Sequence, residues 1–234
     1  MPEGDTIFRA AHTLHRALAA RVVTRFESVF PALTRVDADA PIRGRQVTGV
    51  SARGKHLLIA LSGDLILHTH MRMNGSWHIY RPGERWRAPG HDMRIRLDTD
   101  AFVAVGFSIP VAEFLTGAEL ARHPRISSLG PDLAAETFDR EEVRRRMAGH
   151  PEEPLHDVLL DQRVLAGIGN VLKSEVLFVA RLDPFMRAGA LTPEQFDTIR
   201  ANIVKANAVG RYVAKDFSGA MIWAELVPEG AGGN

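Results

Sequence analysis

Apolar residues recur at three- and four-residue intervals at the start of the chain, at Ile7, Ala10, Ala11, Leu14 and Leu18, and predict an amphipathic helix over residues 4–20. Beyond it the period shortens. VVTRFESVF, QVTGVSARG, KHLLIALS, DLILHTHM, SWHIYR, MRIRLDT and AFVAVGF are alternating or dense in β-branched and apolar residues, and SGD, MNGS, RPGE and LDTDA between them carry turn chemistry. Short strands at this spacing predict an antiparallel sandwich or barrel. Strands are expected to cease near residue 112, and a hinge-like connection, HPRISSLGPDLAAET, leads into helical patterns over 135–149, 153–162, 168–180 and 192–213. Thr192, ahead of Pro193 and Glu194, is the expected N-cap of the last. The expected fold class is therefore α+β and multidomain: an N-terminal helix plus antiparallel β-sandwich over 1–125, an all-helical domain over 126–212, and a short tail over 213–234.

Composition narrows this picture without redirecting it. Hydrophobic content of 45% and charged content of 24% belong to a water-soluble chain with enough apolar material for a core. Apolar runs such as HLLIAL are too short to span a bilayer, and no targeting signal is visible, so a cytoplasmic protein with no membrane partner is expected. Net charge is only +1, but it is unevenly spread. Residues 1–125 hold 17 Lys and Arg against 12 Asp and Glu, and residues 126–234 hold 12 against 16, a basic half followed by an acidic one that is compatible with nucleic-acid binding.

Four short stretches carry candidate chemistry. MPEGDT places Pro2 behind a methionine that a small second residue normally lets the cell remove, which leaves a secondary amine as the N-terminus. An α-amine titrates near pH 7.7–8.0, and a helix N-terminus lowers that further, so Pro2 can be a nucleophile with Glu3 beside it to move protons. Pro and acids are also simply good helix starters. In SARGKH, Arg53, Lys55 and His56 are expected to form a compact donor cluster suited to phosphate oxygens at the mouth of a strand whose Leu57, Ile59 and Leu61 face the core. In HTHMRMNGSW, His68 and His70 share one side of a strand; a metal site is conceivable, but the spacing supplies no third ligand and none is expected. Met73, on an expected MNG hairpin turn, is an apolar side chain at a loop tip, where wedges that replace an extruded base are found. Finally, LAGIGN puts a glycine turn between helices: Gly167 and Gly169 allow two backbones to approach, and Asn170 adds a side-chain donor for a phosphate. The alternative there is an ordinary helix corner.

Taken together, PEGD, RGKH, MNG and GIGN followed by SE resemble, in order and spacing over about residues 2–210, the formamidopyrimidine-DNA glycosylase and endonuclease VIII family of base-excision repair enzymes. The run AFVAVGFSIPVAEFL, without an arginine-rich insertion, and the start PEGDT look like its endonuclease VIII branch, of actinobacterial type. The resemblance implies a helix-two-turns-helix element in the helical domain and a monomeric glycosylase and abasic-site lyase acting on damaged DNA at the nucleoid, with oxidised pyrimidines the expected substrates. It implies that Pro2 attacks C1′ of the damaged nucleotide, Glu3 moves the protons, Lys55 binds the phosphate beside the lesion, Asn170 with the Gly169 backbone holds a neighbouring phosphate, and Met73 fills the gap; Arg53 is expected to touch the DNA. The family usually ends in a four-cysteine zinc finger or a zincless hairpin copy. This chain has no cysteine, so no zinc is expected, and no arginine follows Val213. The alternative is a DNA-binding relative that kept the fold and lost the finger.

Overall fold

The helical period at the N-terminus becomes α1 (Gly4–Leu18), which buries Ile7, Ala11, Leu14 and Leu18 on one stripe. Each such large side chain taken out of water contributes about 1.5–3 kcal/mol, which is why a helix of this length holds its place on a sheet. A computed structural model of the 234-residue chain describes residues 3–132 and 138–212.

Eight strands follow: β1 (Arg25–Ser28), β2 (Val47–Arg53), β3 (His56–Leu61), β4 (Leu65–His70), β5 (Ser76–Tyr80), β6 (Met93–Asp98), β7 (Val103–Phe107) and β8 (Val111–Leu115). They form two four-stranded antiparallel sheets, ordered β1-β6-β7-β5 and β2-β3-β4-β8. Strand alternation turns Phe26, Trp77, Ile95 and Leu97 of the first sheet and Val50, Leu57, Ile59 and Leu67 of the second into one core, which α1 also enters. The fold is the sandwich that the alternation predicts.

Three details differ from the sequence reading. Strands do not cease at residue 112, because β8 pairs with β4 and completes the second sheet; its five residues are too few to declare a period without that partner. Between β1 and β2 lies a helix the strand-like flanks conceal, α2 (Pro31–Asp39), opened by Pro31 and anchored by buried Leu33. The MNG turn is no hairpin either. β4 and β5 belong to different sheets, and the turn, closed by the Gly75 N–H donating to the Met71 carbonyl at 2.9 Å, is where the chain crosses between them.

Among the described residues after Thr116 the regular elements are helices, with α3 (Gly117–Arg122), α4 (Pro124–Ser127), α5 (Arg140–Met147), α6 (Leu155–Leu160), α7 (Asn170–Ala180) and α8 (Pro193–Tyr212) in order. A second core gathers Val143, Leu155, Leu159, Leu165, Val176 and Ile199. Thr192 does cap α8, in a reciprocal box: its Oγ1 accepts from the Gln195 N–H at 3.2 Å, and its own N–H donates to Gln195 Oε1 at 2.9 Å. The tail expected over 213–234 lies outside the described residues. Among the described residues no helix is long and apolar enough to cross a membrane.

Candidate active site

The two cores meet at the start of α1. Residues 161–169 carry the chain from α6 to α7, and Gln162 organises this turn from within: its Nε2 donates to the carbonyls of Leu160 and Ile168 at 2.8 and 2.9 Å, and its Oε1 accepts from the Gly167 N–H at 3.1 Å. Gly167, at φ +95°, occupies a backbone region glycine adopts freely. Its carbonyl accepts from the Gly4 N–H at 2.9 Å, a contact so close that a Cβ on Gly4 would sit 2.2 Å from that oxygen. The approach of two backbones expected of the GIGN glycines is present, and Gly4 is its other half.

That approach delivers Glu3 to α7. Its Oε1 accepts from the Val171 N–H and its Oε2 from the Leu172 N–H, both at 2.9 Å, so a residue 168 positions away serves as the acidic cap of this helix. Gly169, in extended conformation at the N-cap position, leaves the room; a Cβ there would meet Glu3 Cδ at 2.3 Å. Glu3 is only 3% exposed, a buried carboxylate with both oxygens satisfied on one side. Pro2, the expected nucleophile, lies outside the described residues.

Lys55 occupies the two-residue turn between β2 and β3, behind Gly54 at φ +59°. Asp132 Oδ2 accepts from the Gly54 N–H at 2.8 Å, and Asp132 itself bridges to Ala166 beside the Gly167 turn, so one side chain ties the lysine's turn to the glycine turn. Burial holds the Lys55 ammonium below its usual value of 10.5, while the charge of Glu3 opposes the shift. A cation that feels the Glu3 carboxylate across the junction belongs to the same site.

The other expected residues divide. Arg53 is exposed at the end of β2. Asn170 is exposed at the first turn of α7, with Lys173 Nζ donating to its Oδ1 at 3.3 Å. Met73 is 64% exposed at the tip of the crossing between sheets. His56, by contrast, does not join Arg53 and Lys55 in an outward donor cluster. It is buried, with its Nδ1 2.8 Å from His68 Nε2, because the first residue of β3 falls on the covered outer face of the second sheet. Burial and the neighbouring cationic groups push His56 down to about 3.

Residues the sequence reading passed over finish the arrangement. Gln162, Gly4 and Asp132 have no motif of their own, although the glycine in PEGD was a signal for close approach. His70 lies beside His56, ring centroids 4.8 Å apart, and the Lys55 charge reaches it.

A sandwich whose leading helix is clasped by the glycine turn of a second, all-helical unit, with a buried acid and a cation at the clasp, fits the class of helix-two-turns-helix DNA glycosylases. Comparison with known proteins agrees. Residues 1–108 match the formamidopyrimidine-DNA glycosylase N-terminal domain and residues 129–212 the formamidopyrimidine-DNA glycosylase H2TH domain. The chain belongs to the formamidopyrimidine-DNA glycosylase family, on its endonuclease 8 branch. It is 42% identical over 211 residues to the probable endonuclease 8 2 of Streptomyces coelicolor, covering 88% of this chain and 74% of that one. It is 37% identical over 192 residues to the DNA-(apurinic or apyrimidinic site) lyase Nei2 of Mycolicibacterium smegmatis, covering 82% and 71%. Its fold superposes on the Lactococcus lactis formamidopyrimidine-DNA glycosylase bound to DNA containing an abasic site with a TM-score of 0.73 at 18% identity, covering 89% of this chain and 83% of that one.

Proposed function

We propose that the chain is a base-excision DNA glycosylase and abasic-site lyase that acts on damaged DNA, with oxidised pyrimidines as its glycosylase substrates. The observation that carries the reading is the capture of Glu3 by the first turn of α7. It fixes a carboxylate one residue from the N-terminus, and two relatives bear endonuclease 8 and abasic-site lyase names.

The chemistry follows from the groups. With Met1 removed, the Pro2 nitrogen attacks C1′ of the damaged nucleotide; an N–C1′ bond forms as the base departs, taking a proton, and opening of the sugar ring leaves an iminium. Glu3 takes the Pro2 N–H proton as the N–C1′ bond forms, while the departing base takes its proton from water. Glu3 returns that proton to the ring oxygen as the C1′–O bond breaks, and then accepts the C2′ proton that the iminium has made acidic, so that the C3′–O bond breaks with the 3′ phosphate leaving. A second elimination, through C4′, releases the remaining strand end. Lys55 neutralises the phosphate beside the lesion, Asn170 and the backbone at Gly169 hold the next one, and Met73 occupies the space the flipped nucleotide leaves. The charge of Glu3 acts on Lys55, and Asp132 ties the lysine's turn to the glycine turn that holds Glu3, so the acid and the phosphate-binding cation are set by the same scaffold.

Borohydride reduction in the presence of an abasic-site duplex should trap a covalent complex. Proteolysis and mass spectrometry should place the DNA remnant on the peptide that begins at Pro2. A remnant on a lysine, or no adduct from protein that binds the duplex, overturns the reading and favours a DNA-binding relative without the chemistry.

Lys55 gives a second expectation. The cation binds phosphate only while protonated, and burial lowers its value, so its contribution is present at low pH and is lost as pH rises through a point below 10.5. Lys55→Ala should weaken binding of a duplex carrying a stable abasic analogue about tenfold and reduce the salt slope by about one. Lys55→Arg, which stays charged, should remove the alkaline fall in affinity that the native protein shows.

A further inference from the structure

The outer face of the second sheet carries four imidazoles and a carboxylate that the lyase chemistry does not use as a set. Strand alternation turns His68 and His70 to this face, together with His56 of β3, and Glu113 lies directly across from His68 in the β4–β8 register. The connection from α3 to α4 folds over them and adds His123 and Arg125, leaving a cleft of about 360 Å³. Three ligand atoms converge in it. His68 Nδ1 is 2.8 Å from Glu113 Oε1, His123 Nε2 is 3.2 Å from the same oxygen, and the three groups offer atoms that all lie within 4.8 Å of one another.

We propose that His68, Glu113 and His123 form a binding site for one divalent transition-metal ion of the zinc type. Ligands at about 2.0–2.2 Å from a tetrahedral zinc stand about 3.3 Å apart; the separations of 2.8 and 3.2 Å to Glu113 are already close to that, and the two imidazoles, within 4.8 Å of one another, need to close by at most about 1.5 Å to admit the ion. Two imidazoles and a carboxylate are a donor set suited to zinc and its neighbours rather than to calcium or magnesium, which take oxygen. One of the two rings is held from behind. His68 Nε2 pairs with His56 Nδ1 at 2.8 Å, which fixes the ring so that Nδ1 faces the carboxylate, the outer hydrogen bond that metal-bound histidines regularly make. Three protein ligands would leave a fourth position for water, and the three groups line one cleft together with His70 and Arg125. The ion would tie β4, β8 and the α3–α4 connection together, next to the lysine turn.

No ligand set of this kind was evident from the HTH motif, because the partners of His68 stand 45 and 55 residues further on and only the β4–β8 pairing unites them. The site is distinct from a cysteine finger, since the chain has no cysteine.

The test uses untagged full-length protein stripped with a chelator and titrated with zinc sulfate by calorimetry, with cobalt(II) as a spectroscopic substitute. One ion per chain is expected, with a rise in Tm on adding zinc and a cobalt spectrum of tetrahedral or five-coordinate type. His123→Ala and, as the least disruptive variant, Glu113→Gln should weaken binding by at least about a hundredfold and abolish the Tm shift, whereas His91→Ala, which alters an 81% exposed ring, should change nothing. Absence of binding to the native protein, or binding undiminished in a folded Glu113→Gln variant, overturns the proposal and leaves the cluster a metal-free hydrogen-bonded chain. Neither result bears on the Pro2 adduct.

Discussion

Gly169→Ala is expected to slow strand cleavage at an abasic site about a hundredfold while both hydrophobic cores stay folded. The added Cβ would stand 2.3 Å from Glu3 Cδ and 2.5 Å from its Oε1, and the Glu3 side chain is the part that can yield. On one side is the first turn of α7; on the other is the start of α1, pinned by the Gly4 N–H on Gly167. Glu3 must therefore leave the cap. The N–H groups of Val171 and Leu172 then lose their acceptors, a local cost of about 1–3 kcal/mol, and the carboxylate moves by an ångström or more from its place at the junction. Displacement on that scale is what proton transfer does not tolerate. Gly90→Ala is the control, because a Cβ there meets nothing within 4 Å. Single-turnover cleavage and thermal unfolding separate the outcomes: an unchanged rate in the Gly169 variant would mean that the cap does not position the reacting carboxylate.

The same junction explains what a reader of the sequence could and could not see. Local rules were enough for α1, for the Thr192 cap and for the glycine turn, since the apolar period, Thr ahead of Pro and Glu, and two glycines before Asn170 each act within a few residues. They also sufficed to bring Glu3, Gly169 and Lys55 under suspicion. What they could not supply was pairing at long range. Glu3 finds its partners 168 and 169 positions away, Gly54 finds Asp132 78 positions away, and β8 becomes a strand only because β4 offers an edge. His56 was misread for a related reason. Beside Arg53 and Lys55 it looks like a third exposed donor, yet the two-residue turn ends at Lys55, and the next residue already belongs to a face covered by the α3–α4 connection. The MNG turn was read as a hairpin because turn chemistry reveals a reversal of the chain without revealing which sheet receives the next strand.

Glu3→Gln should separate the two roles the carboxylate combines. An amide is nearly the same size and keeps one acceptor oxygen, so one of the two N–H groups of Val171 and Leu172 stays paired. The other meets an NH2 group, and the exchange of a charged acceptor for a mismatched one should lower stability by about 1.5–3 kcal/mol. If capping were the whole function of Glu3, that would be the whole effect: well below the melting temperature the variant would be folded and cleave abasic DNA at nearly the native rate. Proton transfer at the ring oxygen and at C2′ needs a group that can take and return a proton, which an amide cannot. The elimination rate should then fall about 10²–10⁴-fold even where circular dichroism shows a native fold. Affinity for a duplex with a stable abasic analogue should stay within a few fold, because Lys55, on its own turn tied to Asp132, is untouched. A rate that recovers in Glu3→Gln on cooling to restore the fold would assign Glu3 to architecture and move the proton chemistry to another residue. A rate that stays low at every temperature, with binding kept, assigns both roles to the one carboxylate that joins the two halves of the molecule.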